Sequence, residues 1–107
     1  MKRYRFDDMK LGYFVGDFTP TAFRTTACEV AYKIHRAHEP WPKHYQRTAT
    51  EINLLIHGMM KIGRTILHAG EIFVIAPKEA IQPIFLTRCE IICVKVPSDP
   101  TDKVVCR

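Results

Sequence analysis

The stretch HYQRTATEINLLIHG carries the groups in this chain best suited to chemistry. His44 and Gln46 lie two residues apart, so on a strand both project from the same face. Glu51 opens the apolar run that follows, and Gly58 closes it seven residues later. A hairpin joining the two pieces brings His44, Gln46 and Glu51 onto one inner face. An imidazole, an amide oxygen and a carboxylate held together can ligate a divalent cation, and a His/Glu pair also suits general acid–base catalysis. A polar network filling the interior of a β-barrel accounts for the same three residues equally well, and spacing alone does not separate these readings.

The elements that must position them are short strands broken by Gly and Pro. In CEVAYKIH, Val30, Tyr32 and Ile34 alternate with Glu29, Ala31 and Lys33, the period of a half-buried strand. TEINLLIH places Ile52, Leu54 and Ile56 on one face and Glu51, Asn53 and Leu55 on the other. MMKI, a turn at Gly63 and Arg64, and RTIL predict a hairpin. GEIFVIAP, PIFL and CEIICVKVP supply further strands, ended by Gly70, Pro77, Pro83 and Pro97. A helical turn or two is predicted between Arg5 and Lys10, and the HEPWPKHYQR segment around Trp41 reads as a loop or strand entry presenting polar groups. Regularly spaced short strands predict an all-β sandwich or small barrel.

The 107 residues, 47% of them hydrophobic, describe one domain over 1–107 and argue against disorder. Sixteen Lys and Arg against eleven Asp and Glu give a net charge of +5, which favours anionic partners. The basic residues form no continuous stripe, so a nucleic-acid polymer is not the expected partner. No stretch reaches the ~18 apolar residues of a membrane span. The start, MKRYRFDDMKLGYF, lacks the unbroken apolar core of a signal peptide, which predicts a cytoplasmic protein with reduced thiols. Cys89 and Cys93 tempt as a metal pair. Four residues along a strand separate them by ~13 Å, so structural burial is the expectation for both. His35 and His38 read as core-satisfied or solvated, although His35 could support a site. His57 can line the interior beside Leu55 or cap the strand end, and His68 belongs to a turn.

Around these residues the sequence resembles the cupin superfamily, whose first motif reads Gly, five residues, His-x-His, three or four residues, Glu, six residues, Gly. Here His38 stands at the first Gly, followed after five residues by His44, Tyr45 and Gln46, then by Glu51 and Gly58. Gly70 opens a match to the second motif, GEIFVIAP. The chain is also similar to small single-domain cupins of bacteria and phages, with a GYFVGDF-like opening, a TEI strand, a PKEA-like turn and a VKVPSDPTDK ending. This resemblance implies a double-stranded β-helix, or jelly-roll barrel, with its ligand inside and pairing of copies into a homodimer.

Metal-binding cupins take two His and a Glu from the first motif and a His from the second. Matched position by position, this chain keeps His44 and Glu51, has Gln46 at the second His, Ile81 with Gln82 beside it at the last, and Lys78 at the second motif's Gly. The eroded set disfavours a metal cofactor; if a divalent ion binds, His44, Gln46 and Glu51 hold it.

A non-catalytic or barely catalytic module binding an anionic small molecule follows, such as a nucleotide or nucleotide sugar. Its expected contacts are Lys33, His44, Gln46, Glu51, Asn53, Arg47, Trp41 and Phe85. Arg36, Lys43, Lys78 and Arg88 are rim candidates, and Tyr32 and Tyr45 further stacking candidates. Likeness to phage proteins suggests sequestration of a signalling nucleotide. The alternatives are a metal-assisted or His/Glu acid–base isomerase, epimerase or lyase acting on a sugar-like substrate through His44 and Glu51, and a non-catalytic assembly subunit.

Overall fold

β-Branched and aromatic residues dominate the apolar runs, and each run forms a strand in the computed structural model, which describes residues 1–107. In chain order the strands are β1 (Tyr13–Val15), β2 (Glu29–His35), β3 (His44–Gln46), β4 (Thr50–His57), β5 (Met59–Ile62), β6 (Thr65–His68), β7 (Ile72–Ile75), β8 (Pro83–Phe85), β9 (Cys89–Val96) and β10 (Lys103–Val105). The helical turn is a single 3-10 turn, Phe6–Asp8. The all-β expectation therefore holds, including the β5–β6 hairpin, whose register pairs Ile62 with Thr65 across Gly63 and Arg64. No helix is long and apolar enough to cross a membrane.

A five-stranded sheet in the order β1-β2-β9-β4-β7 forms one wall of the barrel. The other wall is made of a three-stranded sheet, β6-β5-β8, and the pair β10-β3. A bridge between His44 and Ile81 links that pair to the segment leading into β8. β4 runs directly into β5 through Gly58, where the chain leaves one sheet for the other. Its φ is +97°, and a Cβ there would lie 2.2 Å from the Arg88 carbonyl oxygen, so only glycine fits this corner.

The hydrophobic core fills one end of the space between the walls. Leu55, Cys89 and Ile91 of the large sheet pack there against Met60, Leu67 and Phe85, with Trp41, Ile62 and Phe73 partly buried against them. Cys89 and Cys93 are both buried and unbridged, the structural role expected of them. Toward the other end the inward faces turn polar: β2 buries Glu29 and Ala31 and directs Lys33 inward, and β4 directs Glu51 and Asn53 inward. The apolar alternates of the same strands face out, with Ile34, Leu54 and Ile56 exposed.

The C-terminal segment is tied down by one carboxylate. Asp102 is buried and accepts hydrogen bonds from Thr48 N (3.0 Å), Ala49 N (2.9 Å) and Thr48 Oγ1 (2.8 Å). These bonds fix the approach to β4 and align β10 with β3, Lys103 standing opposite Gln46 and Val105 opposite His44.

Candidate functional site

Three cross-strand rows build the floor of an interior cavity of about 380 Å³. In the first, Lys95 of β9 is paired with Glu29 of β2 on one side and Glu51 of β4 on the other. In the second, Cys93 stands between Ala31 and Asn53, with Tyr13 and Phe73 beyond them. The third sets Ile91 between Lys33 and Leu55. Because paired residues share a face, the floor is charged in the first row and mostly apolar in the third, where Lys33 is the one charged side chain. His44, Gln46 and Lys103 close the polar part from the β3–β10 wall, and Trp41, Met60, Ile62 and Phe85 line the apolar part.

His44, Gln46 and Glu51 do line one cavity, but no hairpin joins them. β3 pairs with β10, whereas β4 pairs with β7 and β9, so Glu51 faces the other two from the opposite wall. Lys33, Asn53, Trp41 and Phe85 line the same space. Arg47 does not: it is exposed, and its Nη1 donates to the Thr101 carbonyl at 3.3 Å. It follows Gln46 at the end of β3, where the backbone turns to the surface. Arg36, Lys43, Lys78 and Arg88 are also exposed and outside the cavity lining, as is His57. A bulge between Leu55 and His57 breaks the alternation that would have turned His57 inward. Tyr32 sits on the outer face, where its hydroxyl donates to the Glu90 carboxylate, and Tyr45 also lies outside the lining. His35 is core-satisfied: it stacks on Phe85 at 4.0 Å, and its Nδ1 meets Glu39 Oε2 at 2.7 Å.

Sequence reasoning missed Lys95 and Lys103. Lys103 projects beside Gln46, with its Nζ 5.0 Å from the centre of the Trp41 ring. Burial and the nearby Lys95 charge pull its pKa down. Lys95 Nζ donates to Tyr13 Oη at 2.9 Å. Burial works against its charge, but Tyr13 and Glu51 outweigh burial and hold its pKa above the ordinary lysine value. Strict alternation along CEIICVKV from buried Cys89 puts Lys95 inward, and this was the available signal. Lys103 lies in a run too short to give one.

The cavity's acid–base groups are fixed in place. His44 Nδ1 lies 2.9 Å from the Pro42 carbonyl oxygen, so Nδ1 carries the proton and Nε2 is left with the lone pair. Burial, with a further push from Lys103, lowers the pKa of His44 despite that bond, and the ring is neutral at pH 7. Glu51 Oε2 accepts from Asn53 Nδ2 at 3.1 Å. Gln46 is 4% exposed, and its Nε2 has no hydrogen-bond partner. A buried amide donor left unsatisfied costs about 1–3 kcal/mol.

The donor set does not fit a metal ion. No three His, Cys, Asp or Glu side chains gather in a metal-binding arrangement. The unpartnered atom of Gln46 is an N–H donor, the residue bridged to His44 is Ile81, and the Lys95 and Lys103 charges act on the same space as Glu51. An ion there would have His44 and Glu51 as its only strong ligands.

No protein-family model and no curated protein matches the sequence. Solved structures do. An uncharacterized conserved protein with a double-stranded β-helix domain from Klebsiella pneumoniae aligns with a TM-score of 0.69 at 15% identity, over 76% of this chain and 71% of that one. KdgF from a Halomonas species gives 0.66 at 14% identity, over 71% and 74%. An RmlC-like cupin family protein from Methanocaldococcus jannaschii gives 0.61 at 18% identity, over 69% and 73%. The chain therefore has the cupin fold, a double-stranded β-helix with its cavity inside the barrel.

Proposed function

We propose that the barrel binds an anionic small molecule without a metal ion, and that the buried, unpartnered Nε2 of Gln46 carries this reading. An amide N–H beside the ammonium of Lys103, and across the cavity from Lys95, is a set of donors awaiting an oxyanion. The aromatic and aliphatic end, with Trp41, Phe73 and Phe85, suits a ring or short apolar body. A cavity of about 380 Å³ lies near the lower end of the ~300–1,000 Å³ of small-molecule sites. That size favours one ring with one carboxylate or phosphate, at most a mononucleotide, over a nucleotide sugar. Benzoate and phenyl phosphate are suitable probes, and each is expected to raise the melting temperature by binding the native state. Gln46→Leu should weaken benzoate at least about tenfold by calorimetry, since a hydrogen bond to a charged group contributes about 1.5–3 kcal/mol. A flat response to both anions, with no ligand co-purifying by native mass spectrometry, would overturn this reading. So would stoichiometric zinc, iron, manganese or nickel lost on Glu51→Gln.

A catalytic reading rests on His44, whose neutral ring holds Nε2 as an acceptor inside the cavity, with Glu51 on the facing wall. A base and a carboxylate on opposite sides of a bound molecule suit proton transfer in an isomerase, epimerase or lyase. Pairing of two copies is favoured by the outer face of the large sheet, where Ile34, Leu54, Ile56, Ile72, Val74 and Val96 are exposed together.

A further inference from the structure

We infer that Lys33 is a carbonyl-capturing amine, and that the molecule taken into the barrel is a small aldehyde or ketone bearing a carboxylate or phosphate. This rests on the anion reading above and adds a reacting centre to it. Lys33 reaches the cavity from β2, with Nζ 4.1 Å from the centre of the Tyr13 ring and donating to the Leu11 carbonyl at 2.9 Å. Both the ammonium and the neutral amine can make that bond. Lys95 approaches the same ring from β9, at 5.2 Å, and donates to its hydroxyl. Two lysines thus share one tyrosine, and Lys33 has no carboxylate in ion-pair contact. A neighbouring cation and partial desolvation are the conditions that free a lysine lone pair for attack on a carbonyl.

The surroundings act in the same direction. Burial, then repulsion by Lys95 and Lys103, brings the Lys33 pKa down from 10.5 to about 8, with Cys93 and Glu51 opposing. Tyr13 from β1, Cys93 and Lys95 from β9, Glu51 from β4 and Lys103 from β10 are the titratable groups that face it. At pH 7 a much larger share of this amine is neutral than of an ordinary lysine, since each unit of pKa changes that share about tenfold.

The step balances without a co-reactant. The Nζ lone pair adds to the carbonyl carbon while the C=O π pair moves onto oxygen. Oxygen gains a proton and nitrogen sheds one, so the net proton transfer needs no further reactant. The carbinolamine then loses its hydroxyl with the remaining N–H proton as water. One carbonyl and one amine give one imine and one water. Gln46, Lys103 and Lys33 line the same cavity, so a molecule with its anionic group on the first two shares that space with the Lys33 amine.

The test is reductive trapping with 4-carboxybenzaldehyde and cyanoborohydride at pH 7, followed by peptide mapping. Lys33 is expected to be labelled at least tenfold faster than any exposed lysine, and benzoate should slow labelling at Lys33 but not at the Met1 amine. The Lys33 rate should rise with pH up to about 8 and then level. Lys33→Arg, shown to fold by circular dichroism, should lose the cavity label and keep the Met1 label. Labelling of Lys33 no faster than exposed lysines overturns the proposal; if benzoate still raises the melting temperature, the anion reading survives that failure. Fast labelling of Lys33 that is equal with uncharged benzaldehyde and insensitive to benzoate keeps the amine chemistry and overturns the anionic substrate class.

Discussion

At His38 and Lys78 the backbone takes φ values of 60° and 67°, the left-handed region in which glycine is at ease. These are the two positions at which the motif resemblance calls for glycine and the sequence has side chains. The fold has kept the turn and tolerated the residue, at a cost of about 1–2 kcal/mol for a non-glycine residue. Lys78 also cannot leave that conformation cheaply, because its N–H donates to the Gln46 carbonyl at 2.7 Å. Lys78→Gly should therefore stabilise the protein. Glycine's greater freedom in the unfolded chain takes back about 0.5–1 kcal/mol, so the mid-range net gain is about 0.75 kcal/mol. In thermal denaturation this is a rise of about 2–6 °C, with no gain for Lys78→Ala. A melting temperature unchanged or lowered in Lys78→Gly would show that the turn is not strained. The same two positions show what could be read from single residues. The spacing of the motif survived erosion of its letters, because the turn geometry is held by hydrogen bonds as much as by glycine.

Among the elements, β2 and β4 had a clear period of two, and their limits follow the alternation. Which face is inside does not follow from it. Apolar alternates normally face the core, but β4 turns Glu51 and Asn53 inward and Leu54 and Ile56 outward, because the barrel interior at that end is a cavity. The strands that escaped the sequence reading, β1 and β10, are each three residues long, too short for a period to register. β10 is placed by a side chain instead of a pattern. Burial of Asp102 penalises its charge, yet the hydrogen bonds from Ala49 and Thr48 more than compensate and hold its pKa below the ordinary 3.8. A carboxyl lowered in the folded state contributes stability that is complete above its unfolded value and disappears as pH falls through the folded one. Asp102→Ala should thus destabilise at pH 7, by about 1–3 kcal/mol for each buried donor it orphans. The difference between wild type and variant should shrink below about pH 3.8, as the wild-type carboxyl becomes protonated. Urea unfolding of both proteins at pH 7 and at successively lower pH measures this, and a pH-independent difference would remove the carboxylate's charge from the explanation. Since β10 carries Lys103, Asp102→Ala should also weaken benzoate.

For the molecule as a whole, the net charge of +5 and the apolar surface divide the work. Positive charge enters the cavity through Lys33, Lys95 and Lys103, while the outer face of the five-stranded sheet leaves large aliphatic side chains in water. Ile72 is 67% exposed and Val74 57%, both on the edge strand β7, and Leu54 and Ile56 continue the patch onto β4. Such a surface has a cost in solution that a partner removes. A second copy is the partner that always accompanies it, since a twofold axis can place one patch against its own image. Equilibrium sedimentation of the wild type should therefore find a dimer at micromolar concentration. The double substitution of Ile72→Lys and Val74→Glu should give a monomer with an unchanged circular dichroism spectrum, because both side chains point outward from an edge strand and neither enters the core. Raising the salt concentration should not dissociate the wild-type dimer, as burial of apolar surface, unlike an ion pair, is not screened. A wild-type monomer at high concentration, or a dimer that survives both substitutions, would place the contact elsewhere. The cavity is lined from the inward side of the same sheet, so this face takes no part in it. Benzoate should accordingly bind monomer and dimer with the same affinity, which separates the pairing of copies from the filling of the barrel.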